Sequence, residues 1–131
     1  MDLSVRSDAI GTDIQDWMGS RHGTNNARTV TLAKAAFTAA THYPQGFIRS
    51  GTPLGRYTSG ANTGLYGPYT SGATDGTQTL AGHLLTPQTV TAGTGNLVAP
   101  LFWHGLVYLA KLPITVDAAG QSSAAGRITY I

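Results

Sequence analysis

Between Leu97 and Leu112 the chain is apolar on both alternating faces. Leu101, Trp103, Val107 and Leu109 fall on one side, Phe102, Leu106, Tyr108 and Ala110 on the other. A strand without a polar face has to be covered on both. The fold must therefore supply its own core on one side and a further layer on the other, from this chain or from a neighbour. The stretch contains Pro100, His104 and Lys111 and is shorter than the ~20 residues that a membrane span needs, so no membrane partner is expected. Pro113 stops it.

Composition narrows what can surround such a strand. Of 131 residues only 11% are charged; the six acids are all Asp and there is no Glu. Glu and Lys dress exposed helix faces, so their scarcity argues against a helical bundle. Nineteen Thr and 17 Gly suit a mainly β, turn-rich domain. With no cysteine there is no disulfide framework, no thiolate metal site and no thiol nucleophile. The first residues show neither a basic region nor an apolar run of the signal-peptide kind, so a protein made in a cytoplasm is expected. Four of the six Asp lie within residues 1–16, whereas every charge from Arg21 to Arg56 is basic. Those five basic residues are spread over 36 positions, and the only lysines of the chain are Lys34 and Lys111, so nucleic acid is not an expected partner.

The chain divides into an N-terminal arm, 1–45, and a β-rich domain, 46–131. In the arm, Ile10, Ile14, Trp17 and Met18 recur at helical spacing and predict a short helix over about 8–18 with one docking face. Residues 19–26 read as linker. Arg28, Thr29, Val30, Thr31 and Leu32 alternate as a half-buried strand that nothing else in the arm can pair. From Phe47 onward strands alternate with turns. The pentapeptide Tyr57-Thr58-Ser59-Gly60-Ala61 recurs as Tyr69-Thr70-Ser71-Gly72-Ala73, which reads as two similar exits from strand to turn. Arg127 to Ile131 is a closing strand that should be paired.

Chemistry finds little foothold. The histidines, His22, His42, His83 and His104, form no i, i+4 metal pair, and there is no HExxH, no GxSxG elbow and no P-loop. Gly93-Thr94-Gly95-Asn96 begins like a dinucleotide fingerprint, but Val98 stands where its last glycine would be. No catalytic residue, cofactor or metal is assigned, and the chain is not expected to be an enzyme.

Several runs, in order, carry a resemblance. They are Phe37 to Ile48 with its Tyr43-Pro44-Gln45-Gly46 turn, Ser50 to Gly55, Gly64 to Tyr69, Ala73 to Gly76 running into Thr79 to Gly82, Val98 to Gly105, and Ala125 to Ile131. Together they resemble the head decoration proteins of tailed bacteriophages, the lambda-like family, over about 28–131. No single motif is specific; their order is.

The resemblance implies a small, β-clip-like domain that forms a homotrimer on the outer surface of the mature virion capsid. Such a trimer is a structural cement that stabilises the head against internal DNA pressure, assembled in the host cytoplasm. It implies a phage major capsid protein as partner, bound by β-augmentation of the arm, with Arg28, Thr29, Val30, Thr31 and Leu32 as the added strand. On that expectation, removing residues 1–32 leaves a folded domain. Ile10, Ile14, Trp17 and Met18 are a possible docking face of the leader, and Leu101, Trp103, His104 and Tyr108 possible trimer or core contacts. The alternative reading from residues alone is a β-rich carbohydrate-binding adhesion module on the virion surface, using Tyr57, Tyr66 and Tyr69.

Overall fold

Alternation of apolar and polar or small residues produces nine short strands among the described residues, joined by turns in which glycine supplies positive φ. A computed structural model of the chain describes residues 15–91, 93 and 95–131. It is mainly β, with 30% of residues in strands and 14% in helix. The strands are β1 (Arg28–Leu32), β2 (Phe47–Ile48), β3 (Pro53–Arg56), β4 (Tyr66–Pro68), β5 (Leu80–Leu84), β6 (Gln88–Thr89), β7 (Leu97–Phe102), β8 (Gly105–Val107) and β9 (Ile128–Tyr130). Two short helices, α1 (Ala39–His42) and α2 (Ala118–Ser123), complete the set with two single-turn 3₁₀ segments. The repeated pentapeptide behaves as its sequence suggests: each copy follows a strand, β3 or β4, and turns at a glycine with φ near +83° (Gly60 +84°, Gly72 +82°).

Five strands close into a barrel in the order β1-β4-β3-β5-β7, with β7 returning to β1. A five-stranded barrel is narrow, and its interior is filled by side chains. Val30, Leu32, Leu54, Leu84, Ala99 and Leu101 fill this one, with Phe37, Ile48 and Val90 packed around them. The β2–β6 pair is a separate two-stranded sheet, and β8 and β9 pair in parallel.

Barrel closure depends on glycine where β5 crosses its neighbours. A Cβ on Gly82 would lie 2.2 Å from the Phe102 carbonyl oxygen, and one on Gly55 would lie 2.6 Å from the Thr77 Cα. Pairing of β3 with β5 shifts register between Leu54 and Gly55, so Leu54 faces Gly82 while Gly55 faces Leu80. The extra residue in β5 is Ala81. It flips Leu80 out of the barrel interior and into the second core.

That second core answers the two-sided apolar segment. Trp17, Leu80, Phe102, Val107, Val116, Ala124 and Ile128 form a buried layer between the barrel wall and the β8–β9–α2 unit. The segment is not one strand. Gly105, at φ +143°, breaks it into β7 and β8, and Leu109–Lys111 is a 3₁₀ turn. The chain covers most of this apolar surface itself.

Two expectations for the arm are corrected. Arg28–Leu32 is not an unpaired strand: it pairs with β7 over five rungs, Arg28↔Leu101 to Leu32↔Leu97, and meets β4 in parallel at Leu32↔Tyr66. Its alternation marks a barrel strand, with Val30 and Leu32 in the core. The division at residue 45 fails for the same reason, because β1 and Phe37 are parts of the barrel. The helix expected over about 8–18 falls mostly outside the described residues. Its last part, residues 15–18, is a turn followed by a β-bridge from Met18 to Val107.

Candidate interaction surface

The side chains singled out in the sequence separate into buried and accessible groups. Ile10 and Ile14 lie outside the described residues. Trp17 is fully buried in the second core; its indole N–H donates to Ser50 Oγ at 3.1 Å and its ring meets Phe102 edge-on. Its backbone carbonyl accepts from Tyr108 N–H, and Gly19 N–H donates to the Leu106 carbonyl. Residues 17–19 thus strap the chain's own β8. Met18 is half-buried beside them. Leu101 is core; Trp103 and His104 are half-buried, and Tyr108 is exposed.

The tyrosines of the alternative reading have structural partners. The Tyr57 ring lies against the Cα of Gly67, and that of Tyr69 against Gly120, where the Tyr69 hydroxyl donates to Asp117 Oδ1 at 2.6 Å. Asp117 in turn caps α2 by accepting from Gly120 N–H. These two rings pack along the molecule rather than standing out from it.

Two accessible features remain. One is the C-terminal edge. Strand β9 has β8 on one side and no strand on the other among the described residues. Among the described residues the exposed large apolar side chains are Ile131 (56% exposed), which follows β9, Tyr108 (38%), which follows β8, and Val98 on β7. The Leu109 N–H, next to Tyr108, donates to the Ile131 carbonyl and holds the two together.

The other is the mouth of the barrel, where β1, β4 and β5 begin and β3 and β7 end. A cleft of about 400 Å³ opens there, lined by Arg28, Arg56, Tyr66, Gln78, Trp103 and Arg127. Arg127 braces its rim: Nη1 donates to the carbonyls of Ala81 and Trp103 and Nη2 to that of Leu80, all at 2.9–3.0 Å. Two of these carbonyls, those of Leu80 and Ala81, lie at the β5 register shift. The Arg28 guanidinium lies 4.0 Å above the Trp103 ring, a cation–π stack whose partner indole N–H donates to the Asn26 carbonyl. Asp75, in the turn before β5, aims its carboxylate at Thr77, whose N–H and hydroxyl it accepts. Those bonds hold its carboxyl below the usual range. None of the three arginines has a carboxylate partner among the described residues.

Sequence reasoning missed this cluster because its members are 28 and 71 positions apart along the chain. Only the barrel brings the start of β1, the end of β3 and the approach to β9 to one rim. His22 and His104, 82 positions apart, are likewise joined, Nε2 to Nδ1 at 2.8 Å, on the surface between the strap and the β7–β8 turn. Among the described residues no three His, Cys, Asp or Glu side chains converge on a point that could hold a metal ion. No protein-family model, curated protein or solved structure matches the chain.

Proposed function

We propose that the chain is a structural virion protein of the phage head: a homotrimeric decoration protein that binds the outside of a mature capsid and cements it. The observation that carries this reading is the outer edge of β9, which no strand pairs among the described residues and where the Ile128 N–H is taken by the Ala124 carbonyl, together with the exposed Ile131 and Tyr108 of the β8–β9 pair. An unpaired strand edge flanked by exposed apolar side chains is a template for pairing with another chain. The order of the runs that carry the resemblance also supports the reading. Ile48, Leu54, Leu80, Leu101, Phe102 and Ile128 from its runs are all buried, and Gly82 stands where no side chain fits.

On this reading the intermolecular strand pairing belongs to β9 rather than β1, since β1 already has neighbours on both sides. A charge-poor surface suits such a role, because few ions lose water when it is covered. Three copies gain further from multivalency, since once one contact forms the other two are intramolecular.

The test is native mass together with co-sedimentation on tailed-phage capsids stripped of their decoration. A trimer that pellets with the particles is expected. Tyr108→Asp and Ile131→Asp are expected to abolish trimer formation or capsid binding while leaving the fold intact. A monomer that stays in the supernatant would overturn the reading.

A further inference from the structure

We infer that the barrel mouth is an oxyanion socket, built to take a carboxylate or phosphate group between Arg28, Arg56 and Arg127. The inference rests on a count of donors. A guanidinium has five N–H donors and is always charged. Arg127 uses three of them on the Leu80, Ala81 and Trp103 carbonyls, which fixes its plane and leaves two for a ligand. Arg28 is held over Trp103 by its π-face, a contact that uses none of its N–H groups. Arg56 is exposed on the opposite lip with no hydrogen-bond acceptor among the described residues.

Three cations therefore converge on one cleft without a counter-charge among the described residues, two of them oriented by the protein before anything binds. Low-dielectric walls focus the field of like charges into a cleft and raise the local concentration of anions. Guanidinium forks match the two oxygens of a carboxylate or phosphate in a bidentate pair. The space, about 400 Å³, suits an acidic group and a few attached atoms. Tyr66 and Gln78 add polar atoms to the wall.

One chemistry has two sources here, a free oxyanion or a carboxylate of the leader, whose residues 1–14 include Asp2, Asp8 and Asp13 along with the cation Arg6. The described chain begins at Gln15, whose side-chain amide donates to the Leu85 carbonyl, at the far end of β5 from the mouth. The five residues from Leu80 to Leu85 span roughly 17 Å at about 3.3 Å each. Asp13, two residues from Gln15, reaches at most about 7 Å. Asp8 and Asp2, seven and thirteen residues before Gln15, have the longest tethers for entering the mouth of their own chain.

The experiment is a titration of the full chain with inorganic phosphate at low ionic strength, following the Trp103 indole N–H and the Arg56 Nε–H by NMR. Saturating shifts at both groups, weakened about tenfold in Arg56→Gln, are expected for a free-anion socket. Silence in the wild type with a saturating response in Asp2→Asn/Asp8→Asn identifies the leader as the occupant and equally supports the socket. Arg56 is exposed and unbonded, so its replacement leaves the fold in place. No response in either protein, or a response that Arg56→Gln leaves unchanged, would overturn the inference.

Discussion

His83 shows how a single position can be buried, polar and satisfied at once. It is fully enclosed, with Nδ1 2.8 Å from the Gly51 carbonyl and Nε2 2.7 Å from the Tyr130 hydroxyl. A carbonyl only accepts, so Nδ1 carries the hydrogen, and Nε2 accepts from Tyr130. The Tyr130 bond requires the neutral ring, because a protonated Nε2 has no lone pair left to accept with. Burial pushes its pKa down to about 4, outweighing the opposing Gly51 bond. An unfolded histidine takes up a proton near pH 6.5. Between pH 6.5 and 4 the unfolded chain thus binds the extra proton, and stability falls as pH falls, by on the order of 3 kcal/mol across the window. His42, lowered by partial burial, adds to the loss with the same sign. Denaturant melts from pH 7 to 4 are expected to show this slope, and His83→Gln, which can keep both hydrogen bonds, to flatten it. Parallel curves for the two proteins would refute the assignment. Gly82 makes a second prediction at this scale. Gly82→Ala forces the added methyl against the Phe102 carbonyl, so a loss of about 2 kcal/mol or more is expected in the same melts, and an unchanged midpoint would count against the close approach.

The elements show which sequence signals carry information and which do not. Alternation in Arg28–Leu32 correctly marks a strand with a buried face. Alternation is local, however, and says nothing about which strand lies alongside; β7, some 70 residues later, is the partner. The closing strand was legible as paired, but its parallel partner β8 was hidden because Gly105 divides a run that looks continuous. Trp17 was recognisable as one face of an amphipathic segment, and it docks on its own chain because Gly51 and Phe102 leave a slot for the indole. The arginine rim left no signal at all, since three isolated basic residues have no period and no spacing. Two consequences follow for stability. Val30→Asp places a carboxylate inside the barrel core and is expected to prevent folding altogether. Trp17→Ala removes the largest side chain of the second core and is expected to cost about 3–5 kcal/mol, read from the denaturation midpoint. A Val30→Asp protein that folds normally would mean that β1 is not a barrel strand in solution.

At the scale of the whole molecule, a filled five-stranded barrel and a second apolar layer leave little to be covered from outside. Among the described residues, what remains is Tyr108 and Ile131 of the β8–β9 pair, Val98 on β7, and the arginine-lined mouth. The low share of charged side chains, 11%, which first argued against a helical design, suits the proposed contact with other chains. The proposed cement role makes a mechanical claim: the chain should raise the force a capsid withstands. The most direct measurement is thermal release of packaged DNA from stripped, DNA-filled capsids, with and without saturating protein. A release temperature several degrees higher in the decorated particles is predicted, and the gain should vanish with Ile131→Asp. Identical release temperatures at full occupancy would contradict the account.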